Sequence, residues 1–457
     1  MGITRQVAKY CHDLSYTDLD EQLRDRVKYL LLDYLGVAIR GTKSDSSLPI
    51  YRFLSTRQDK LSGVPVIATD LKVDAPYAAL ALGTAAHSLE LDDVVNAASL
   101  HPAVSVISAA LAAGYMTGSS GVELMQGIVN GYEVMVKLGI ALDPTAHYAR
   151  GFHPTGTCGA LGAAAATAKI LKLDEETTIN ALGIAGSQAA GSLEFLSDGA
   201  FTKRFHAGWS AHSGLLAAML AREGFTGPKT IIEGKFGFLH AYSGKSDPEK
   251  VLADWGNPFE VLNTSIKPHA CCRYKQGAID CLVQIVEQNN LSSDDIEHVQ
   301  VSILKAGFAL VAVPVELKCN PTSVVDAQFS MPFGAALAIL KKNAFLDQYS
   351  MENISSGEVK QLMDRVTCVE DQEIEKDFPR KWPAKVTITT RDGREFKAGL
   401  EHPKGDPENP LSWEEIIAKF NNLAGAVLDH DSCSQLIRSV RDLENLSDLR
   451  QIMEGTN

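Results

Sequence analysis

The chain has 457 residues, of which 45% are hydrophobic and 22% are charged, and its formal net charge is −13. This length exceeds that of one ordinary domain and the composition is that of a globular protein, so we expect two or three folded domains. The acidic excess argues against nucleic acid as the main partner, since phosphate binding needs a basic surface. It leaves a small anionic substrate open, because a local group of cations can lie within an acidic protein.

The apolar runs, the N-terminal residues and the cysteines together indicate the cellular compartment. No apolar run reaches about 18 residues and the N-terminal residues lack an apolar leader, so we expect no membrane span and no secretion signal. The eight cysteines are scattered, and the adjacent pair Cys271 and Cys272 cannot form a relaxed disulfide with each other. No zinc-type spacing is present. A reducing cytoplasm is the predicted compartment.

In the first half of the chain, apolar residues recur with helical spacing. The predicted helices cover residues 18–39, 77–90, 104–116, 121–142, 159–171 and 179–191. The last two are rich in Ala and Gly, which indicates close packing of helix backbones. No glycine-rich phosphate-binding motif follows a strand.

The second half has a different pattern. Residues 296–303 alternate like a strand, and residues 385–400 form two strand-like runs around Asp392-Gly393, a strong hairpin signal. Helices are predicted over 326–342 and 356–365, and again from Ser412 onward. The predicted fold is therefore mainly α: a helical domain (1–265), a smaller α+β domain (266–400), and C-terminal helices (401–457) that return to the first domain.

Four segments concentrate titratable residues in apolar or glycine-rich surroundings. The first, 85–103, contains His87, Glu90, Asp92, Asp93 and His101. Carboxylates and imidazoles can bind a divalent metal, transfer protons, or cap and cross-link helices. The spacing matches no specific metal site, so proton transfer is the favoured interpretation.

The second segment, 146–159, and the third, 199–208, lie further along the helical half of the chain. His153 follows Tyr148 and precedes a helix, whose free N–H groups attract carboxylates. Lys203 and Arg204 are adjacent between small and aromatic residues, which favours pairing of at least one cation with an anion over a solvated position. Both segments therefore offer groups that could bind a carboxylate.

The fourth segment, 265–280, opens the smaller domain and is called the CCRY segment below. Its polar residues are Lys267, His269, Cys271, Cys272, Arg273 and Tyr274. A cysteine nucleophile needs a nearby base and a thiolate-favouring site. Buried, inert cysteines are the commoner case, and they are the expectation here.

These segments together carry a family resemblance. The strings are HSLELDDVVNAASLHP, HYARGFHPTGTCGALGAAAA, NALGIAGSQAAG, KRFHAG, GFTGP, KPHACCRY and DAQFSMPF, in that order. Over roughly residues 5–400 the chain resembles the MmgE/PrpD family, which includes 2-methylcitrate dehydratases, cis-aconitate decarboxylases and iminodisuccinate epimerases. The resemblance implies an all-helical domain, a smaller α+β lid domain, a homodimer, and neither a metal nor an organic cofactor.

The resemblance also implies roles for individual residues. His101 matches the histidine of an HP motif, His153 that of an FHP motif, and Lys203 the lysine of a KR or KP motif. Asp92 and Asp93 match the paired acids that precede the HP motif, and these five residues are the predicted catalytic set. The predicted substrate-binding residues are Arg273, Lys267, Arg204, His269, Tyr148 and Gln276.

Two positions depart from the family pattern. Gln276 stands where the family commonly has His, and Phe333 stands where it commonly has Tyr. Either change could mean a different substrate or a reaction that needs one fewer proton donor. The predicted function is a lyase that transfers a proton next to a carboxylate of a small di- or tricarboxylic acid. An epimerase and an inactive binding homologue are the alternatives.

Overall fold

The computed structural model describes residues 1–378 and 380–456. The chain divides into two compact units. Unit 1 comprises Met1–Thr264 and Ser412–Asn457, and unit 2 comprises Ser265–Leu411. Unit 1 is helical apart from a two-stranded ribbon, whereas unit 2 combines a four-stranded sheet with helices. The predicted fold class, mainly α with a smaller α+β part, is confirmed.

Helices make up most of unit 1. Its α-helices are Ile3–Asp13, Glu21–Gly41, Ser47–Ser55, Ala75–Ala86, Ala103–Thr117, Gly121–Ala141, Pro144–Ala149, Pro154–Ile170, Glu175–Ser187, Thr202–Arg222, Phe238–Tyr242, Trp413–Ala424, His430–Arg441 and Arg450–Glu454. Its 3-10 helices are Tyr16–Asp18, Asn96–Ala98, Leu193–Ser197, Pro248–Val251, Glu260–Asn263 and Leu443–Asn445. The ribbon pairs Val64–Pro65 with Lys72–Val73 in antiparallel register.

Helix Pro154–Ile170 forms the centre of unit 1. All its residues except Lys169 are buried, and it packs against the helices Gly121–Ala141, Ala103–Thr117 and Thr202–Arg222. Its small side chains allow this, because backbones that approach closely leave no room for larger ones. The Ala and Gly richness of the sequence thus corresponds to close packing.

The same close packing is present between helices Ala75–Ala86 and Thr202–Arg222. A Cβ atom on Gly83 would lie 2.7 Å from the Val104 carbonyl oxygen and 2.8 Å from the Cα atom of Gly208. Real Cβ atoms do not approach so closely, so any side chain at Gly83 would separate the helices. Glycine here fixes the distance between the helix that precedes residue 87 and the helix that carries Lys203.

One predicted helix ends earlier than expected. The pattern over 77–90 predicts a helix through Glu90, but the helix is Ala75–Ala86. His87 is its C-cap, and Glu90 adopts the left-handed backbone region with φ +56°. Such a φ is uncommon for a residue with a side chain. Residues 87–100 therefore form a loop, called the acidic loop below.

The C-terminal helix Trp413–Ala424 packs on helix Glu21–Gly41. Its Lys419 is buried, forms an ion pair with Asp33 at 2.5 Å, and donates a hydrogen bond to the Leu91 carbonyl oxygen at 3.0 Å. A residue near the end of the chain thus fixes the backbone directly before Asp92. Among the described helices, none is long and apolar enough to cross a membrane.

Unit 2 is built on a sheet of four strands. Strand Ile296–Ile303 pairs in parallel with Val366–Glu370 and antiparallel with Ala384–Thr390, which pairs antiparallel with Glu395–Leu400. The predicted strand over 296–303 and the hairpin are both present. The hairpin turn contains Gly393 at φ +84°, a conformation that favours glycine.

Helices complete unit 2. Its α-helices are Gln276–Gln288, Lys305–Val311, Val315–Cys319, Val324–Gln328, Met331–Lys341, Met351–Ser355, Gly357–Met363 and Gln372–Glu375, with 3-10 helices Arg273–Lys275, Ser293–Asp295 and Leu346–Gln348. The single helix predicted over 326–342 is wrong, because two helices occupy that range. Ser330 caps the second helix by accepting a hydrogen bond from the Phe333 N–H, and Pro332 lies in its first turn.

Candidate active site

The acidic loop is fixed at both ends. Val95 and Leu100 form an isolated antiparallel bridge, with the Val95 N–H donating to the Leu100 carbonyl oxygen at 2.9 Å. Asp93 Oδ1 accepts a hydrogen bond from the Ala103 N–H at 3.1 Å, at the start of the next helix. A carboxyl at a helix N-terminus satisfies an otherwise free N–H. These contacts hold Asp92, Asp93 and His101 in one place.

Asp92 lies between two histidines. Its Oδ2 atom is 2.7 Å from Nδ1 of His87 and 3.1 Å from Nδ1 of His101. Nδ1 of His101 is also 2.6 Å from the Asp93 carbonyl oxygen. A carbonyl oxygen only accepts hydrogen bonds, so Nδ1 of His101 carries a proton. A neutral His101 therefore presents Nε2 as a free lone pair, which is the form of a general base.

Asp92 and Asp93 differ in charge although they are adjacent. Burial disfavours the charged form of Asp92, but the His101 and His87 imidazoles outweigh it and hold the pKa of this carboxyl well below its ordinary value. Burial raises the pKa of Asp93 to about 8; the Tyr132 hydroxyl, 2.7 Å away, opposes this, and the Asp92 charge adds to it. At neutral pH one carboxyl is ionised and its neighbour is protonated.

His153 and His206 form the opposite side of this group of histidines. His153 is the N-cap of helix Pro154–Ile170, and its N–H donates to the Gly191 carbonyl oxygen at 2.9 Å. Its Nδ1 lies 3.3 Å from Nδ1 of His206, and its ring stacks on His87 with centroids 5.7 Å apart. Burial first, and then repulsion from a protonated His87, lower the pKa of His153 well below its ordinary value and that of His206 to about 4. Both are neutral hydrogen-bonding groups at pH 7.

Lys203 brings a positive charge to the same region. It lies on helix Thr202–Arg222 one turn before His206, and residues three apart share a helix face. Its ammonium group forms an ion pair with Glu90, whose side chain is 6% exposed. The left-handed backbone at Glu90 thus turns a carboxylate back toward Lys203. The cation is held in a defined position and is partly shielded from solvent.

Two predicted substrate-binding residues of unit 1 lie near this region in sequence. The guanidinium of Arg204 lies over the Phe201 ring at 5.8 Å, and its buried Nε has no hydrogen-bond partner among the described residues. The Tyr148 hydroxyl donates to the Ser99 carbonyl oxygen of the acidic loop at 3.2 Å, and the side chain is exposed. Their roles toward a substrate stay predictions.

The remaining predicted ligands lie together in the CCRY segment of unit 2. His269 pairs with Asp280 at 2.9 Å, and Arg273 pairs with Asp406 at 2.5 Å. Gln276 binds the segment's own backbone, donating to the His269 and Cys271 carbonyl oxygens at 2.9 and 3.2 Å. Lys267 is buried. These contacts position the segment, and the substrate-binding roles stay predictions.

The cysteines and the second family departure also lie in unit 2. Burial raises the pKa of both the Cys271 and Cys272 thiols, which removes the thiolate that nucleophilic chemistry requires. Phe333 is fully buried and its ring lies 5.7 Å from that of Tyr349. The aromatic ring at this position is therefore part of the hydrophobic core.

One group of side chains in the described residues has the spacing of metal ligands. The ligand atoms of His402, Asp406 and Glu408 all lie within 4.8 Å of one another in unit 2. Asp406 already accepts hydrogen bonds from Arg273 and Ser265. That ion pair neutralises the one buried carboxylate of the group, which makes it a poor metal ligand.

Sequence reasoning assigned no role to two histidines of the site. His87 belongs to the acidic segment 85–103, but its position in the sequence does not indicate that it is a partner of Asp92. His206 follows Lys203 by three residues, a helical spacing that would have placed both on one face. The structure brings together Asp92, Asp93, His101, His153 and Lys203 of the predicted catalytic set, with His87 and His206 added. These residues are called the histidine cluster below.

Comparison with known proteins identifies the family. The model of the MmgE/PrpD N-terminal domain matches residues 5–251, and that of the MmgE/PrpD C-terminal domain matches residues 269–445. This chain belongs to the MmgE/PrpD family. The resemblance noted in the sequence is thereby confirmed.

Curated members of the MmgE/PrpD family match along nearly their whole length. The cis-aconitate decarboxylase of Aspergillus terreus is 28% identical over 100% of this chain and 96% of that protein. The human cis-aconitate decarboxylase is 26% identical over 98% of this chain and 93% of that protein, and the mouse protein of the same name is 25% identical. The named relatives are therefore enzymes that act on a small carboxylic acid.

Proposed function

We propose that this protein is a lyase that transfers a proton to or from a carbon next to a carboxylate of a small di- or tricarboxylic acid. The observation that carries the proposal is the Asp92–His101 arrangement, in which Nδ1 of His101 contacts Asp92 and donates to the Asp93 carbonyl oxygen. We propose Nε2 of His101 as the atom that transfers the proton. The names of the relatives make decarboxylation of cis-aconitate, or of a similar unsaturated acid, the first reaction to test.

For decarboxylation, the steps are short. The bond between the reacting carbon and one carboxyl group breaks, CO2 leaves, and the electron pair stays on the carbon. A protonated His101 then donates its Nε2 proton to that carbon and becomes neutral. The ionised Asp92 stabilises the imidazolium before the transfer, as a carboxylate next to a histidine does in other acid–base enzymes.

In dehydration, the proton would move in the opposite direction, from the substrate carbon to Nε2 of His101. Neutral His101 would remove a proton from the carbon next to a carboxylate, and a second group would protonate the departing hydroxyl. His153 and His206 are neutral at pH 7 and suit hydrogen bonding to substrate oxygens, whereas the Lys203 cation suits a carboxylate. We propose these roles for all three.

Exchange and product analysis in D2O tests the proposal. The enzyme is incubated with cis-aconitate, with 2-methylcitrate and with iminodisuccinate, and products are followed by NMR. A decarboxylase releases CO2 and leaves one deuterium on the carbon that carried the lost carboxyl group. A dehydratase produces a new alkene. Exchange of the α-proton alone, without a new product, would make the protein an epimerase. Absence of both exchange and product, with saturable binding, would make it a binding homologue.

We propose further that the protein is a cytoplasmic homodimer, as the family resemblance implies. All eight cysteines are free in the described chain, which supports a reducing compartment. Light scattering coupled to size-exclusion chromatography tests the oligomeric state. A mass of about 49 kDa instead of twice the 49.3 kDa chain mass would contradict it.

A further inference from the structure

His87 is the buried histidine that shares a carboxylate oxygen with His101. Its relative exposure is 0%, and its Nδ1 lies 2.7 Å from Oδ2 of Asp92. Nδ1 of His101 lies 3.1 Å from the same Oδ2 atom. One oxygen therefore serves two imidazoles. Oδ1 of Asp92 and Nε2 of His87 have no hydrogen-bond partner in the described part of the chain.

The protonation of His87 follows from its surroundings. Ionised Asp92 only accepts hydrogen bonds, so Nδ1 of His87 is the donor. Burial lowers the pKa of His87, and although Asp92 opposes this, the charges of Lys203 and His101 add to it. At neutral pH His87 is thus a neutral donor. It withdraws part of the negative charge of Oδ2 that would otherwise act on His101 alone.

His87 is also fixed in orientation. Its ring lies between the rings of His101 and His153, at centroid distances of 5.1 and 5.7 Å. It caps helix Ala75–Ala86, whose position is set by the close approach at Gly83. With no exposed surface and packing on both faces, His87 acts through Asp92 and not on a substrate directly.

We infer that His87 is a positioning residue that divides the Asp92 carboxylate between two imidazoles and thereby weakens the contact of Asp92 with His101. The inference rests on the proposed role of His101. A hydrogen bond to a charged group is stronger than one between neutral groups, and His101 loses part of that interaction when His87 shares the same oxygen.

Other charged or titratable groups lie around Asp92 and its two histidines, and they are unchanged when residue 87 is substituted. They are Asp33 with its partner Lys419, Arg26, Glu90, Asp93, Tyr132, His153, Lys203 and His206. A change confined to residue 87 therefore isolates the share of Asp92 that His87 holds.

Two substitutions at residue 87 form a matched pair. His87→Phe keeps a ring of similar size but removes the donor to Asp92. His87→Asn places an amide N–H at the position of Nδ1 and keeps the donor while losing the ring. The limb of the kcat/KM pH profile that His101 governs should move to higher pH by about one unit in His87→Phe. In His87→Asn it should move by less than half as much, and KM at the pH optimum should stay within about twofold in both.

NMR titration of the His101 ring gives the same answer without turnover. Its titration midpoint should move upward by the same amount in His87→Phe, so a failure of the inference differs from a failure of the proposed function. Equal shifts in both variants would assign the effect to ring packing, and no shift in either would exclude sharing of Asp92; each outcome overturns the inference. If His87→Phe does not fold, His87→Leu replaces it, with the same expected direction.

Discussion

The histidine cluster of unit 1 and the CCRY segment of unit 2 are both buried and polar, but they use their polar groups differently. In the CCRY segment, His269 and Arg273 pair with carboxylates and Gln276 binds its own backbone. In the histidine cluster, Nε2 of His87 and Oδ1 of Asp92 have no partner among the described residues.

Buried polar groups thus have different roles in the two regions. Fully satisfied polar networks make a segment rigid, whereas unsatisfied buried groups cost stability and are found where chemistry requires them. The charges follow the same division, since the pKa values of Asp92 and Asp93 are shifted in opposite directions. We therefore expect changes in the histidine cluster to affect activity, and changes in the CCRY segment to affect stability first.

The largest expected effect is that of His101→Gln. Glutamine keeps the size and hydrogen bonding of the residue but cannot transfer a proton, so kcat should fall by roughly 10²–10⁴ with unchanged melting behaviour. Steady-state kinetics and calorimetry measure the two quantities. Near-normal kcat in a folded variant would transfer the role to His153 or to Asp92 and Asp93.

Arg273→Met tests the other half of the comparison. It removes the Arg273 cation from the ion pair with the Asp406 carboxylate, which is 2% exposed. Removing one partner of a buried pair costs about 3–5 kcal/mol of folding free energy. Hydrogen exchange of unit 2 peptides, measured at increasing urea concentration, should show this loss of unfolding free energy. Adding Asp406→Leu to the variant should restore part of it. Unchanged stability with a raised KM would instead favour the predicted contact of Arg273 with substrate.

Lys203→Met should weaken substrate binding. A charged hydrogen bond to a substrate carboxylate contributes about 1.5–3 kcal/mol, so KM should rise by roughly 10–150-fold while kcat changes little. Because Lys203 also pairs with Glu90, Lys203→Met is compared with the double variant Lys203→Met/Glu90→Gln, which removes both charges of the ion pair. A fall in kcat at constant KM in both variants would indicate proton transfer by Lys203 instead.

Asp93→Asn should change the pH dependence of stability. Burial raises the pKa of Asp93 from its ordinary 3.8 to about 8. The protonated carboxyl therefore contributes stability that is complete below the unfolded-state pKa and is lost as pH rises through about 8. Asparagine has no proton to lose, so the variant should lose less unfolding free energy than the wild type between about pH 5 and pH 9. Parallel curves for the two proteins would contradict the shifted pKa.

The smallest expected effect is that of chelation. Activity should persist after exhaustive EDTA treatment with metal analysis, because the proposed chemistry uses only side chains. The residues with ligand-like spacing, His402, Asp406 and Glu408, supply the control. An inactive sample that recovers with a divalent ion, and a His402→Ala variant that does not recover, would show a metal requirement.

The sequence predicts the fold class from hydrophobic patterns and the candidate site residues from family motifs. Hydrophobic periodicity is enough for the helix Gly121–Ala141 and the strand Ile296–Ile303, because local burial patterns determine both. The family motifs indicate His101, His153 and Lys203 as candidate site residues. Periodicity fails at the end of helix Ala75–Ala86, since the left-handed backbone at Glu90 depends on tertiary contacts.

The roles of several side chains depend on distant contacts and cannot be obtained from sequence. The tautomer of His101 follows from its contact with the Asp93 carbonyl oxygen. The share of Asp92 that His87 holds depends on where two separate segments place their rings. Lys419 is 328 positions from Leu91, and no local pattern connects them.

The contact of Lys419 with Leu91 has a consequence for synthesis on the ribosome. Domains fold in the order in which they emerge, and the acidic loop emerges hundreds of residues before helix Trp413–Ala424. The whole of unit 2 is translated between them. The buried Asp33 therefore lacks its ion pair with Lys419 until that helix is made. A nascent chain stalled within unit 2 should hold an acidic loop that becomes protected from hydrogen exchange only after helix Trp413–Ala424 has emerged.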